Sequence, residues 1–229
     1  MLIVFETNGK GFLGWIVELS GAYTRGKTID EAREKVDIEI IEYKKWLNMP
    51  LEKEIITNEK IVETKAAVDD ADSEIILEYD IIDYTNIEQL NDDCNKILIS
   101  ANKLQEIYDK CNYKDIVDKT NERRTFYGNV NSTIKKQYEH IVQCEYGYYL
   151  HNIGLEIKMK ENLVENRFET VKLLKNKYIS ERNKYYKYSE EDWTLKKVIR
   201  RIIWHDRIHG KAIERMENRI KMEIEKMKQ

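Results

Sequence analysis

From about residue 86 to the C-terminus, apolar residues recur every three or four positions, which is typical of amphipathic helices. The pattern predicts four long helices, at residues 86–111, 132–155, 162–186 and 193–226. Only the connection at 112–131 is long. Four long helices joined by mostly short links pack most simply as an up-and-down four-helix bundle.

The first 80 residues have a different pattern, in which short apolar stretches alternate with turns. Five of the nine glycines fall within residues 9–26. Strands are predicted at 1–6, 12–19, 53–68 and 74–79, with room for a further short strand at 20–26. One helix is predicted to begin after Thr28, whose capping box Glu31 completes, and to run to about Leu47. Pro50, the single proline, prevents its continuation.

These patterns predict an α+β N-terminal module, residues 1–82, followed by an all-α four-helix bundle, residues 86–229. A chain of 229 residues with 41% hydrophobic and 35% charged residues is long and apolar enough to fold. Its net charge of −3 means that the chain as a whole lacks the excess of positive charge expected of a nucleic-acid-binding protein. Residues 1–80 carry 10 basic against 18 acidic residues, so this part could meet the more basic remainder or a basic partner. Two differently charged solvated surfaces explain the same numbers.

The three cysteines form no CxxC pair and are odd in number, which favours reduced thiols over a disulfide framework. No apolar run approaches the ~20 residues of a membrane helix, and the N-terminus lacks the pattern of a signal peptide. A cytoplasmic protein without a membrane partner is therefore expected.

The four histidines all lie in the predicted helical part, and two of them are spaced i, i+4. That spacing places His205 and His209 on one helix face, about one turn apart. They fall on the same steps as the apolar stripe of that helix, formed by Leu195, Val198, Ile202, Ala212 and Met216. Buried imidazoles need partners, and a divalent metal in a bundle core is one such partner.

A third ligand from a facing helix would leave open coordination positions, as catalytic sites require. His140, in the middle of the second predicted helix, is the best candidate for it. His151 lies eleven residues further along that helix, roughly 16 Å away along the axis, and cannot join the same ion. The alternative is that each histidine is simply hydrogen-bonded in the core, but the pattern as a whole favours a metal site on His140, His205 and His209.

Two stretches resemble the DinB-like, YfiT-like superfamily of metal-binding four-helix bundles. Residues 193–209, WTLKKVIRRIIWHDRIH, look like its last helix, and residues 140–145, HIVQCE, resemble its second-helix motif. The resemblance covers about residue 86 to the C-terminus. It implies a bundle, often dimeric, with Zn, Ni or a similar ion on His140, His205 and His209. It also implies thiol S-transferase activity with a low-molecular-weight thiol.

The N-terminal region resembles the HicB-like antitoxin domain over about residues 1–45. The residues that carry this resemblance are GWIVELSGA at 14–22 and GKTIDEA at 26–32. That domain is a small unit of a strand meander and a helix. In this chain it would mediate self-association or cover the mouth of the metal site.

Other candidate residues have plainer explanations from sequence alone. Cys144, one turn after His140, could approach a metal, but a core cysteine is expected. Asp206 is expected at the surface. The basic residues Lys196, Lys197, Arg200, Arg201 and Arg207 could hold an anionic cosubstrate, although a solvated helix face is expected. The chain contains no Walker loop, GxGxxG, Ser-His-Asp signature or zinc-finger spacing.

The sequence therefore predicts a metal-dependent enzyme acting on a small molecule. A divalent ion, Zn or Ni, would activate a thiol or water, and the reaction would be of the thiol S-transferase type. A homodimer without a nucleic-acid partner is expected. The alternative is a non-catalytic binding or assembly protein, built on the HicB-like module, with a structural or vestigial metal site.

Overall fold

The computed structural model describes residues 1–121, 124–125 and 128–228. Its N-terminal part contains a four-stranded mixed sheet in the order β3-β2-β1-β4. The strands are β1 (Leu2–Thr7), β2 (Phe12–Ile16), β3 (Tyr23–Gly26) and β4 (Asn58–Glu63). Neighbouring strands are antiparallel except β1 and β4, which are parallel. The expected α+β unit at the front of the chain is confirmed, and its third strand is present.

The secondary structure of this part differs from the prediction in two places. The single predicted helix is interrupted, because α1 (Ile29–Arg33) ends before α2 (Val36–Trp46) begins. No glycine or proline marks the interruption. The predicted strand at 74–79 is wrong: the chain is irregular there and then forms the short helix α3 (Glu78–Ile81). The irregular segment bonds to side chains instead of to a neighbouring strand, as its contacts with Glu6 show.

Glu6 on β1 is fully buried and accepts three hydrogen bonds. Its donors are the Trp15 indole nitrogen at 3.1 Å, the Ser73 hydroxyl at 2.6 Å and the Glu74 backbone nitrogen at 3.2 Å. A buried carboxylate is tolerated when such donors surround it. Glu6 therefore ties the irregular segment to the sheet.

Replacing Glu6 by alanine is expected to lower the free energy of unfolding by about 1.5–3 kcal/mol, because three donors lose a charged acceptor. Urea unfolding of Glu6→Ala against the wild type measures this. The exposed Glu63, on the edge strand β4, supplies the control as Glu63→Ala. Equal midpoints for the two variants would contradict the anchoring role of Glu6.

The rest of the chain is helical, as predicted, with two short hairpins. The long helices are α4 (Ile87–Lys110), α5 (Ile134–Cys144), α6 (Leu163–Glu181) and α7 (Leu195–Met227). The hairpins pair β5 (Arg124–Thr125) with β6 (Gly128–Asn129), and β7 (Tyr186–Tyr188) with β8 (Glu191–Trp193). Each long helix begins after a residue whose side chain accepts a hydrogen bond from the backbone of the first turn, as N-caps do: Asn86, Thr133, Asn162 and Thr194.

The second predicted helix is not α-helical to its end. After α5, residues Glu145–Leu150 form a π-helical segment, and His151–Ile153 form a 3-10 turn. Single π turns inside helices occur frequently at functional sites. This one directly follows Cys144, and it brings Tyr148 and Tyr149 to the wall of a cavity described below.

Helix α7 is the centre of the fold, because its first half is buried on all sides. The expectation that its basic residues form a solvated face is wrong. Lys197 pairs with Glu191 at 2.8 Å, Arg200 pairs with Asp80 at 2.6 Å, and Arg207 pairs with Glu39. A helix with the sheet module on one side and other helices on the other has no face left for water, so its charged residues pair inward. Among the described helices, none is long and apolar enough to cross a membrane.

Candidate metal centre

The three histidines selected from the sequence lie together between α5 and α7. His205 and His209 lie one turn apart on the same face of α7, and their ring centroids are 4.2 Å apart. The ring of His140, from α5, lies 5.3 Å from that of His205 and 5.0 Å from that of His209. Packing of α5 against α7 therefore places three imidazoles around one small space.

Cys144 belongs to the same cluster. It lies one turn after His140 on α5, and its sulfur is 3.6 Å from each ring nitrogen of that histidine. One ligand atom from each of His140, Cys144 and His205 can be chosen so that all lie within 4.8 Å of one another. This group could hold a metal ion, since imidazole nitrogen and thiolate sulfur are the ligands that Zn²⁺ prefers. The plain core role expected for Cys144 is therefore incomplete.

His209 is held by a chain of polar contacts. The Asn131 amide donates to Gln137 Oε1 at 3.5 Å, and the Gln137 amide nitrogen contacts His209 Nδ1. On the other side of its ring, His209 Nε2 lies 2.9 Å from His205 Nε2. Both ring nitrogens of His209 thus face polar partners within the cluster.

Burial keeps the imidazoles neutral. Burial, and to a smaller extent the nearby His140, lower the pKa of His209 to about 3. Burial, followed by His209 and His140, lowers the pKa of His205 well below its usual range. The pKa of His140 is also lowered by burial. A neutral imidazole keeps one nitrogen lone pair, so the cluster suits a cation at neutral pH.

The pKa of the Cys144 thiol is shifted in the opposite direction, upward. Burial raises its pKa to about 11, and the positive charge of Arg201 partly opposes this rise. Without a cation the group is therefore a thiol at neutral pH, and a coordinating metal is what deprotonates such a thiol.

A buried ionic network lies behind the cluster. Arg167 on α6 donates two hydrogen bonds to Asp206, at 2.9 and 2.8 Å. Its Nε is 2.7 Å from Glu145 Oε2, as an ion pair without hydrogen-bond geometry. Glu145 also accepts a hydrogen bond from Thr170 at 2.8 Å. Glu145 follows Cys144 and Asp206 follows His205, so the network anchors the backbone next to both.

The surface position expected for Asp206 is therefore wrong, because Asp206 is fully buried. The sequence did place it off the histidine face, and the structure shows it on a face covered by α6. The burial of Asp206 could have been suspected from the sequence only if the whole helix had been recognised as buried on all sides. His151 is exposed and bonds to the Tyr188 hydroxyl at 3.2 Å, outside the cluster.

A cavity of about 430 Å³ opens over the cluster. His140, Cys144, His205 and His209 all line it. His140, Cys144 and His209 are partly exposed, whereas His205 is buried. The candidate centre can therefore be reached from solvent.

The cavity has one wall from each part of the chain. Arg25 from β3 and the turn Asp70–Asp72 come from the N-terminal module. The Arg201 guanidinium donates to the Ser73 carbonyl and lies 4.7 Å from the Trp204 ring, which fixes it beside the opening. Among the described lining residues, four arginines stand against two aspartates: Arg25, Arg201, Arg215 and Arg219 against Asp70 and Asp72. Arg219 is paired with Asp118 at 2.6 Å, so the lining keeps an excess of one positive charge.

Searches of protein-family models, of curated proteins and of solved structures returned no significant match to this chain.

Proposed function

We propose that the protein is a metal-dependent enzyme that acts on a small molecule, with thiol S-transfer as the reaction class. The observation that carries the proposal is a cluster of three imidazoles and a thiol at the base of a cavity of about 430 Å³. Ligand sites of enzymes are commonly cavities of this size with a few convergent polar groups. The DinB-like resemblance of the helical part supports the same reaction class.

His140 and His205 are the ligands on which the sequence pattern and the geometry agree. The third comes from His209, as the sequence predicts, or from Cys144. Zn²⁺ fits this donor set, and Ni²⁺ accepts the same imidazoles. A divalent ion on these residues would lower the pKa of a bound thiol or water, so that a nucleophile exists at neutral pH.

The protein residues around the centre supply binding and orientation. The net positive lining favours a substrate or thiol that carries carboxylates, and Arg215 stands exposed at the rim to meet it. Tyr149 is buried with its ring 5.5 Å from that of His205. It lines the cavity beside the cluster.

A second candidate function is a binding or assembly protein with a structural ion. Cys144 favours it, because four protein ligands close a coordination sphere. The partial exposure of the cluster and the cavity above it favour the enzyme. The two differ in one observable: an enzyme centre loaded with Co²⁺ changes its visible spectrum when glutathione is added, and a closed centre does not.

The metal site can be tested directly by metal content. Tag-free wild-type protein is expected to hold about one equivalent of Zn²⁺ or Ni²⁺ by plasma mass spectrometry, as one site requires. His205→Ala is expected to weaken binding by more than the 10–100-fold typical of residues behind the ligands. His151→Ala is the matched control, because His151 is exposed and outside the cluster. Loaded wild type is then screened for thiol transfer to electrophilic acceptors.

Two results would contradict the proposal. Wild type that stays metal-free after incubation with these ions has no such site. If metal-loaded protein has no thiol-transfer activity and its Co²⁺ spectrum does not change when glutathione is added, the ion is structural.

A further inference from the structure

We propose that Cys144, rather than His209, is the third metal ligand beside His140 and His205, and that His209 remains next to the ion as a hydrogen-bond donor. The inference rests on the proposed metal-dependent function and names the donor set of that site. It differs from the three-histidine set that the sequence pattern indicates.

The position of the sulfur is the first argument. Cys144 Sγ is 3.6 Å from each ring nitrogen of His140. One ligand atom from each of His140, Cys144 and His205 can be chosen so that all lie within 4.8 Å of one another. Two ligands of one tetrahedral Zn²⁺ are separated by about 3.5 Å. A small rotation of these side chains, which turns one His140 nitrogen toward the ion, would therefore bring the three ligand atoms together.

The hydrogen bonds of His209 are the second argument. An amide nitrogen only donates, so the Gln137 contact makes His209 Nδ1 an acceptor. We infer from this contact that the proton of the neutral ring is on Nε2, which lies 2.9 Å from His205 Nε2 and would donate to it. The Asn131 amide, which donates to Gln137 Oε1, holds the Gln137 amide in this orientation. His209 therefore presents an N–H, and not a lone pair, to the centre.

The backbone around Cys144 is the third argument. The next residue, Glu145, is anchored in the buried core by Arg167 and Thr170. On α7 the residue after His205, Asp206, is bound to the same arginine. One guanidinium thus fixes the backbone beside Cys144 and beside His205, whereas His209 is positioned through Gln137.

Two properties follow from a thiolate ligand. The centre should prefer softer divalent ions such as Zn²⁺, Co²⁺ and Cd²⁺ over Mg²⁺ and Mn²⁺. With His209 as a hydrogen-bond donor, three protein ligands would leave one position of a tetrahedral ion without a protein ligand. When an ion takes over the lone pair of His205, the His209 N–H becomes available to a molecule in the cavity.

The test uses full-length protein loaded with Co²⁺. Thiolate coordination produces an intense near-ultraviolet charge-transfer band that imidazole ligands do not produce. The band is expected in wild type and in His209→Ala, and it should be absent in Cys144→Ser. Cys111→Ser is the matched control, because Cys111 is a buried cysteine elsewhere in the fold and bonds to the Ile107 carbonyl. It should keep the band.

Competition with a chelator gives the affinities. Cys144→Ser is expected to lose more than about 100-fold in Zn²⁺ affinity, beyond the range typical of residues behind the ligands. His209→Ala is expected to lose at most about 100-fold, within that range. A second measurement needs no variant: Zn²⁺ should slow alkylation of Cys144 in wild type, read by peptide mass spectrometry, and should leave the alkylation rate of Cys111 unchanged.

The inference is overturned if His209→Ala loses the ion as His205→Ala does while Cys144→Ser keeps it. It is also overturned if wild-type protein binds Co²⁺ without the charge-transfer band or without protection of Cys144. In both cases the metal site and the proposed function stand with three histidines. A wild type that binds no metal removes the proposed function as well, so the two failures are distinguishable.

Discussion

Arg167→Met is expected to lower the free energy of unfolding by about 3–5 kcal/mol, because it leaves two buried carboxylates without their cation. Arg167 is 1% exposed, and Glu145 and Asp206, its partners, are 1% and 0% exposed. Burial raises the pKa of each of these carboxyl groups, and Arg167 opposes the rise. Without the arginine, at least one carboxyl must take up a proton on folding at neutral pH.

That proton uptake gives the Arg167 variant a pH signature. A carboxyl group whose folded pKa is raised binds more protons in the folded state, so stability falls as pH rises through the window between the unfolded and the folded pKa. In Arg167→Met the loss of stability should therefore be smaller in mild acid than at neutral pH. Urea unfolding at both pH values measures the difference.

Lys60→Met is the control for charge removal. Lys60 pairs with Glu78 at 2.8 Å, but both side chains are half or more exposed, so little stability depends on the pair. A loss for Arg167→Met no larger than for Lys60→Met would show that the buried network is not needed for stability.

Gly21→Ala is expected to cost about 2–5 kcal/mol, from backbone strain together with overpacking. Gly21 has φ +89°, which side-chain-bearing residues rarely adopt. A methyl group there would lie 2.8 Å from the Trp204 backbone nitrogen and 2.9 Å from the Ile203 side chain. The turn before β3 therefore packs directly against α7, and thermal or urea unfolding should show a large loss.

Two other glycines separate the contribution of backbone strain from that of overpacking. Gly9 has φ +79° and no atom within 4 Å of an added methyl, so Gly9→Ala reports strain alone. Gly147→Ala meets neither condition and should change little. If Gly21→Ala costs no more than Gly9→Ala, the close approach between the turn and α7 is not a source of stability. The same variant should also perturb the metal site, because His205 directly follows Trp204.

Much of the local structure could be predicted from the sequence, because it depends on near neighbours. The period of apolar residues located three of the four long helices to within five residues at each end, but the second was predicted to run to residue 155 and α5 ends at Cys144. N-caps such as Asn86 and Thr194 mark their beginnings through a side-chain bond that needs no tertiary contact. The glycine-rich stretch before residue 27 likewise indicated the strand meander. The predicted strand at 74–79 failed because its hydrogen bonds go to Glu6, Lys197 and Arg200, which are distant in sequence.

For the candidate site, the sequence by itself determined that His205 and His209 share a face, because helical geometry alone decides this. It also nominated His140 as their partner. Only the tertiary structure decided that Cys144 faces the same space, that Gln137 contacts His209, and that Asp206 is buried with Arg167. Each of these depends on which helices become neighbours and on how they are rotated. The choice of neighbouring helices and their rotation depends on residues far apart in the chain, which bury their apolar surfaces against one another. The periodic pattern along one helix contains no information about these contacts.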